Sequence, residues 1–270
     1  MKVYFSIAFC NDFMKKQPLN ISLAGETNRG LHRSRNEDSF LVCRPDDFSA
    51  LACAADGIGS HSDGNIASLI CCRDLFNAAM QYSPEKFASP GEFLQKTFAA
   101  INEKLFERNY REIRLRPMGC TAVSAFFEEK LITISSIGDS RFYEYLPGRD
   151  EPLRQITIDH RPDEEFLDRL SMKYKQDKQT LRSRVLMHSL GTRDHAHVKL
   201  DIFKITPRPG AIYLLCSDGL CGRVPDENIA AILARGNELN TRELTSLLVR
   251  EALLFGGRDN ITVITARYGA

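Results

Sequence analysis

The sequence predicts an α+β fold in which antiparallel strands share the core with a few amphipathic helices. Three observations carry this expectation. Eight short segments are rich in β-branched and aromatic residues and bounded by Gly, Asp or Pro, the pattern of strands. Several follow one another over turns too short for a parallel crossover, which favours antiparallel pairing. Apolar residues recur at helical steps of three and four in only a few stretches.

Taken in chain order, residues 3–10 form a short apolar run. No small-residue cleavage site follows it and Lys15-Lys16 come soon after, so an edge strand is favoured over the core of a signal peptide. Residues 1–20 are read as an N-terminal extension and residues 21–270 as one domain. Strands are predicted at 21–26, 39–43 and 51–55. A helix follows, marked by Leu69, Cys72, Phe76 and Met80, and a second by Leu94, Phe98, Ile101 and Leu105; both stripes are expected to face the core. The second helix has a clear start: Ser89 can cap it, Pro90 suits its first position and Glu92 can reach back. Strands are then predicted at 121–127, 131–137 and 141–146, the first two joined by a turn at Glu128-Glu129-Lys130. Residues 162–187 are polar and weakly periodic. They read as a partly helical surface excursion, either a solvated insert or a flap at about 160–190. A strand at 211–216, a helix marked by Leu244, Leu248, Ala252 and Phe255 with Thr241 as cap, and a strand at 261–267 complete the chain.

Composition narrows the function. The 270 residues carry 36 Lys+Arg against 35 Asp+Glu, a formal net charge of +1, and 43% are hydrophobic. Such a chain has enough apolar surface to fold. It lacks the basic excess of a non-specific nucleic-acid binder. No stretch approaches the roughly 20 apolar residues that span a bilayer. Neither nucleic acid nor membrane is therefore an expected partner. Cys10, Cys43, Cys53, Cys71, Cys72, Cys120, Cys216 and Cys221 form no paired C-x-x-C ladder and mostly sit in apolar runs. Free thiols buried in a reducing cytoplasm are expected, rather than disulfides or zinc.

The acids carry the chemistry. Predicted strands run into Asp56-Gly57, Gly138-Asp139 and Asp218-Gly219, while Glu37-Asp38 and Asp259 stand just before two others. In antiparallel sheets one strand's end lies beside its neighbour's start. These carboxylates can therefore converge on one rim. Like charges so placed raise each other's pKa, a penalty that bound cations reverse, and oxygen-only donors select hard ions such as Mg²⁺ or Mn²⁺. Gly57 and Gly219 allow tight turns beside such an ion. Asp63-Gly64 follows no strand and reads as a turn or helix start. Arg33 and Arg35 precede the first acidic pair, and a guanidinium there suits a phosphate dianion.

Nine segments together resemble the metal-dependent protein serine/threonine phosphatases of the 2C type, in bacterial form. They are Thr27-Asn28-Arg29-Gly30; Arg33-Ser34-Arg35-Asn36-Glu37-Asp38-Ser39; Asp56-Gly57-Ile58-Gly59-Ser60-His61 with Gly64 and Ala67-Ser68; Gly119-Cys120-Thr121-Ala122; Ile137-Gly138-Asp139-Ser140-Arg141; Asp159-His160; Leu190-Gly191-Thr192; Leu215-Cys216-Ser217-Asp218-Gly219-Leu220; and Gly256-Gly257-Arg258-Asp259-Asn260-Ile261-Thr262. The resemblance implies a four-layer sandwich, two antiparallel sheets between helical layers, with its flap at the polar excursion. It implies hydrolysis of phosphoserine and phosphothreonine in proteins by a hydroxide that bridges two Mg²⁺ or Mn²⁺ ions. By motif, Asp56 bridges the ions and the Gly57 carbonyl binds one. Asp218 and Asp259 complete the shell of the second ion, Glu37 acts through water, and Asp38 orients waters or binds at the rim. Asp139 with Asp218 matches a third, weaker metal position. Arg33 matches the phosphate-binding arginine, and Asn260 supports Asp259. Phosphoprotein substrates and a separate opposing serine/threonine kinase are the implied partners, in signal transduction.

Asn28, Ser60 and Cys120 depart from the family's usual residues without removing a ligand. Ile58 stands where eukaryotic relatives place a histidine, and His61 is expected to be a structural hydrogen-bonder. A phosphoprotein-binding pseudophosphatase would lack part of the Arg33, Glu37, Asp56, Asp139, Asp218 and Asp259 set. An acidic Ca²⁺ module would leave Arg33 unexplained.

Overall fold

The computed structural model describes residues 17–58, 63–112, 117–193 and 198–269. The N-terminal strand expected at 3–10, Cys10 and His61 lie outside them. In order the elements are β1 (Ile21–Asn28), β2 (Ser39–Cys43), β3 (Ser49–Ala55), β4 (Gly57–Ile58), α1 (Gly64–Ala79), α2 (Pro90–Arg111), β5 (Gly119–Cys120), β6 (Ala122–Glu128), β7 (Ile132–Ile137), β8 (Arg141–Tyr145), β9 (Leu153–Gln155), α3 (Glu164–Tyr174), α4 (Lys178–Arg184), β10 (Asp201–Ile205), β11 (Ile212–Cys216), α5 (Asp218–Cys221), α6 (Asp226–Leu233), α7 (Thr241–Leu254) and β12 (Ile261–Tyr268).

Two five-stranded antiparallel sheets form the centre. One runs β1-β12-β11-β8-β9 and the other β10-β7-β6-β3-β2. Their alternation sorts the core into three seams. Ala50, Ala52 and Ala54 of β3 face Val123, Phe127, Phe142, Tyr213 and Leu215 between the sheets. Leu51, Cys53 and Ala55, on the opposite face of β3, pack against α1 and α2. Ile212, Leu214 and Cys216 of β11 turn outward onto α6 and α7. The order is therefore helix, sheet, sheet, helix, the four-layer arrangement expected. Every residue of β3 is buried, because a strand covered on both faces has no wet side.

Local chemistry sets the helices, with three departures from expectation. Ser89 Oγ accepts from the Glu92 amide at 3.2 Å, while Glu92 reaches past the cap to the Ala88 amide at 2.6 Å. The last helix is capped by Asn240, whose side chain forms a full capping box with Glu243; Thr241 is its first helical residue and bonds Ser22 instead. In α1 the expected core stripe is largely turned to solvent: Leu69 is 58% exposed, Phe76 40% and Met80 51%. The buried face holds Ala67, Cys71, Leu75 and Ala79, whose small side chains let the helix lie close on β3. The helix at 94–105 keeps its stripe inside, but Phe255 caps α7 at 42% exposure. The seven cysteines among the described residues are free thiols; Cys43 and Cys221 are half-buried and the others buried.

The strand expected at 121–127 is β6, and the two-residue β5 lies just before it across Thr121. Cys120 pairs with Gly57, and Thr121 hydroxyl-bonds Ser140 at 2.7 Å. Two asparagines of α2 hold this region from behind. Asn109 bonds both Met118 and the Gly191 carbonyl, and Asn102 accepts from the Gly191 amide at 2.7 Å. Leu190 in turn bridges to Cys120. α3 and α4 occupy the polar excursion, where Leu167 and Leu181 are buried.

Candidate active site

The strand register gathers the acids at one end of both sheets. Ser39 pairs with Ala55, which puts Asp38 beside Asp56. Cys216 pairs with both Arg141 and Val263, which brings the Asp139, Asp218 and Asp259 turns together. Asp56 feels the charges of Asp38, Asp218, Asp139 and Asp259 at once. Burial above all, and then these neighbours, push its carboxyl well above the usual range. Asp139 is pushed up to about 6 by burial first and then by Asp218, against the opposing charge of Arg161. Asp218 is raised by burial and then by Asp259. Glu37, only partly covered, is raised chiefly by desolvation, with Arg33 and Arg35 opposing.

Backbone contacts fix the loops. The Gly57 amide donates to the Glu37 carbonyl at 3.2 Å, and Ser68 Oγ of α1 donates to the same oxygen at 2.6 Å. A Cβ at Gly57 would collide with the Glu37 and Gly64 carbonyls, so this approach admits glycine alone. Asn260 is the organiser behind the rim. Its Oδ1 accepts from the Glu37 amide at 2.8 Å, and its Nδ2 donates to the carbonyls of Arg29 and Arg35 at 2.8 and 3.0 Å. Its own amide donates to Asp259 Oδ1 at 2.8 Å. The expected support of Asp259 is thus one part of a larger role.

Asp38, expected to orient waters or bind at the rim, is placed deep by the structure. It is 7% exposed, and its Oδ2 accepts from Ser217 at 2.8 Å and Thr262 at 2.7 Å, tying β2 to β11 and β12 from beneath. Burial pushes it up to about 7, the two hydroxyls opposing. Arg33 is at the mouth, where its Nη2 meets Asp259 Oδ2 at 2.7 Å. Sequence reasoning missed Arg161, which contacts Asp139 and lies 3.8 Å from Asp218; a cation at the base of a polar excursion was the available signal. It also left Asp159 and His160 without roles.

Three observations test whether this rim suits divalent cations. The donors are all oxygen. Asp38 Oδ1 and Asp218 Oδ1 are buried with no hydrogen-bond partner, and such atoms in native proteins call for an ion or water. The carboxylates raise one another's pKa, a cost that a bound cation removes. Among the described residues no three His, Cys, Asp or Glu side chains already stand grouped around one point. The residues fit hard divalent ions.

Two packed antiparallel sheets between helical layers carry a carboxylate rim with an arginine at its mouth, a set of groups suited to divalent cations and a phosphate. The chain belongs to the protein phosphatase 2C family, whose sequence profile matches residues 31–248. It is 32% identical over 239 residues to the serine/threonine phosphatase stp of Listeria monocytogenes, covering 88% of this chain and 92% of that one. It is 30% identical over 256 residues to the serine/threonine protein phosphatase PstP of Mycobacterium tuberculosis, covering 94% of this chain and 46% of PstP. The PstP catalytic domain, solved in complex with two manganese ions, superposes with a TM-score of 0.72 at 29% identity, over 93% of this chain and 99% of that one. Stp1 of Staphylococcus aureus has the same fold, with a TM-score of 0.79 at 24% identity over 95% and 98%.

Proposed function

We propose that this chain hydrolyses phosphoserine and phosphothreonine in proteins with two Mn²⁺ or Mg²⁺ ions held at the rim. The observation that carries the reading is the convergence of Asp56, Asp139, Asp218 and Asp259 beside Arg33. The two manganese ions of the PstP catalytic domain support it. Asp56 would bridge the pair, the Gly57 carbonyl and Glu37 (through water) would hold one ion, and Asp218 with Asp259 the other. Asp139 and Asp218 would form a third, weaker position. Asp38 is better suited to the floor, where it fixes Ser217 and Thr262. Such ions would neutralise the phosphoryl oxygens and lower the pKa of water, so that hydroxide could serve as the nucleophile.

The chain's own groups do the positioning. Arg33 offers a planar fork to the phosphate, and half its side chain is exposed to receive it. To do so it must release Asp259, which the Asn260 amide continues to hold. Partial burial lowers the Arg33 pKa, but Asp259, Asp56 and Glu37 more than offset this, so the fork stays charged. His160 is unsuited to act as the leaving-group acid, because both its ring nitrogens are engaged elsewhere. The free thiols support a reducing cytoplasm as the working compartment, opposite a separate serine/threonine kinase in signalling. Release of phosphate from a phosphothreonine peptide tests the proposal. Turnover with Mn²⁺ and its loss in EDTA are expected. Full activity in chelator would sink the two-ion mechanism, and no turnover with tight phosphopeptide binding would make the chain a pseudophosphatase.

A further inference from the structure

The Asp159-His160 pair is a motif that the chemistry above leaves unused, and its contacts converge on one turn. Asp159 takes a fork from Arg141, with Nε at 2.9 Å and Nη2 at 2.8 Å. His160 Nδ1 accepts the Gly138 amide at 3.2 Å, and the His160 amide donates to the Gly138 carbonyl at 2.8 Å. The two residues therefore clamp both ends of Gly138-Asp139-Ser140-Arg141, and Asp139 is the residue aimed between them. Gly138 has φ +103, and a Cβ there would stand 2.6 Å from Thr121, so the turn has one shape to be held in.

The ring state follows from its partners. A backbone N–H pointing at Nδ1 requires a lone pair there. Nε2 then carries the proton and donates to Asp201 Oδ2 at 3.0 Å, at the head of β10. The ring is 95% buried by its own exposure of 5%, and His188 packs edge-on against it at 5.1 Å. His160 also sits at the root of the α3–α4 excursion. The chain leaves the sheet after it, and on its return the Met187 amide donates to the His160 carbonyl at 2.9 Å.

We propose that His160 is a positioning residue: its neutral ring, oriented by Asp201, fixes the turn that aims Asp139 and ties that turn to the base of the α3–α4 excursion. This rests on the phosphatase reading only in giving Asp139 a role in turnover. The same logic governs imidazoles and carboxylates behind metal ligands, whose replacement costs about 10- to 100-fold in affinity or activity.

The test compares wild type with His160→Asn and His160→Gln. Asparagine sets an amide oxygen near the place of Nδ1 and keeps an acceptor for Gly138. Glutamine reaches toward Asp201 and does not. In metal-free, ¹⁵N-labelled protein, the Gly138 amide resonance should move in the Gln variant and stay near wild type in the Asn variant. With Mn²⁺, kcat for p-nitrophenyl phosphate should fall about 10- to 100-fold in the Gln variant with KM held, and the Asn variant should recover most of the loss. Equal losses in both variants, an unmoved Gly138 amide, or losses that track melting temperature would overturn the proposal. Should the Gln variant fail to fold, Asp201→Leu serves in its place. Histidine ¹⁵N shifts should then show a bare Nδ1 in wild type and a mixed tautomer in the variant, with kcat lowered. A mixed tautomer with unchanged kcat would overturn it. A wild type that lacks Mn²⁺-dependent turnover would defeat the phosphatase reading instead, and the amide resonance would still decide the positioning role.

Discussion

Asn260 spends its side chain entirely on backbone, accepting from Glu37 and donating to Arg29 and Arg35. Asn260→Ala would remove all three bonds. A loss of about 3 kcal/mol in urea unfolding is expected, at roughly 1 kcal/mol for each bond. Turnover should fall with it, since Glu37 and Asp259 both lose their anchor. Arg33→Ala is a contrasting case. Its guanidinium is half exposed and touches one rim carboxylate, so folding should survive. kcat/KM for a phosphopeptide should drop about 10- to 100-fold, the ~1.5–3 kcal/mol of hydrogen bonds to a charged group. The loss should appear mainly in KM, with metal content by mass spectrometry near wild type. Loss of metal in that variant would show that Arg33 orders the rim rather than the substrate.

At the scale of elements, α1 shows where a pattern stops deciding. Its sequence carries two apolar stripes, and periodicity alone cannot choose between them. Packing does: Ala67, Cys71, Leu75 and Ala79 fit against β3, whereas Leu69, Phe76 and Met80 would hold the helix off. Leu75→Ala should therefore cost about 2–5 kcal/mol and Leu69→Gln no more than about 0.5, as thermal melts would show. A larger cost at Leu69 would reverse the assignment of faces. The long strands were legible as apolar or aromatic runs ended by turn residues, even where, as in β3, no β-branched side chain is present. β4, β5 and β9 are two or three residues long and leave no period to read. β10 stands in a polar neighbourhood that hides its alternation. The site was legible as a set of acids at strand ends. The place of Asp38 was not, because Ser217 and Thr262 reach it from 179 and 224 residues away.

The whole molecule balances burial of its acids against their repulsion, and pH should reveal the balance. In the metal-free fold Asp38 titrates near 7 and Asp139 near 6, both above the ordinary value of 3.8. Between about pH 4 and pH 7 the folded chain keeps protons that the unfolded chain has released, so stability falls as pH rises. In EDTA the melting temperature should decline from about pH 4 to pH 7, and Asp38→Asn should flatten part of that decline. Mn²⁺ held by the deprotonated carboxylates should raise stability most at the upper end. A melting temperature that climbs with pH in EDTA would show that the acids are not strained in the fold.

The pairing of β1 with β12 along their full lengths, Ile21 against Tyr268 through Asn28 against Ile261, has a consequence for synthesis. β12 is the last described strand to leave the ribosome, yet it lies between β1 and β11 in the sheet order. Until it arrives, β1 has no partner in its own sheet, and Asp259 and Asn260 are missing from the rim. A nascent chain therefore carries Asp56 and Asp139 long before it can assemble a working centre. Early strands that wait with open edges are also the ones most exposed to wrong partners. For this architecture, catalytic competence and escape from aggregation should both begin with the closing of one late strand.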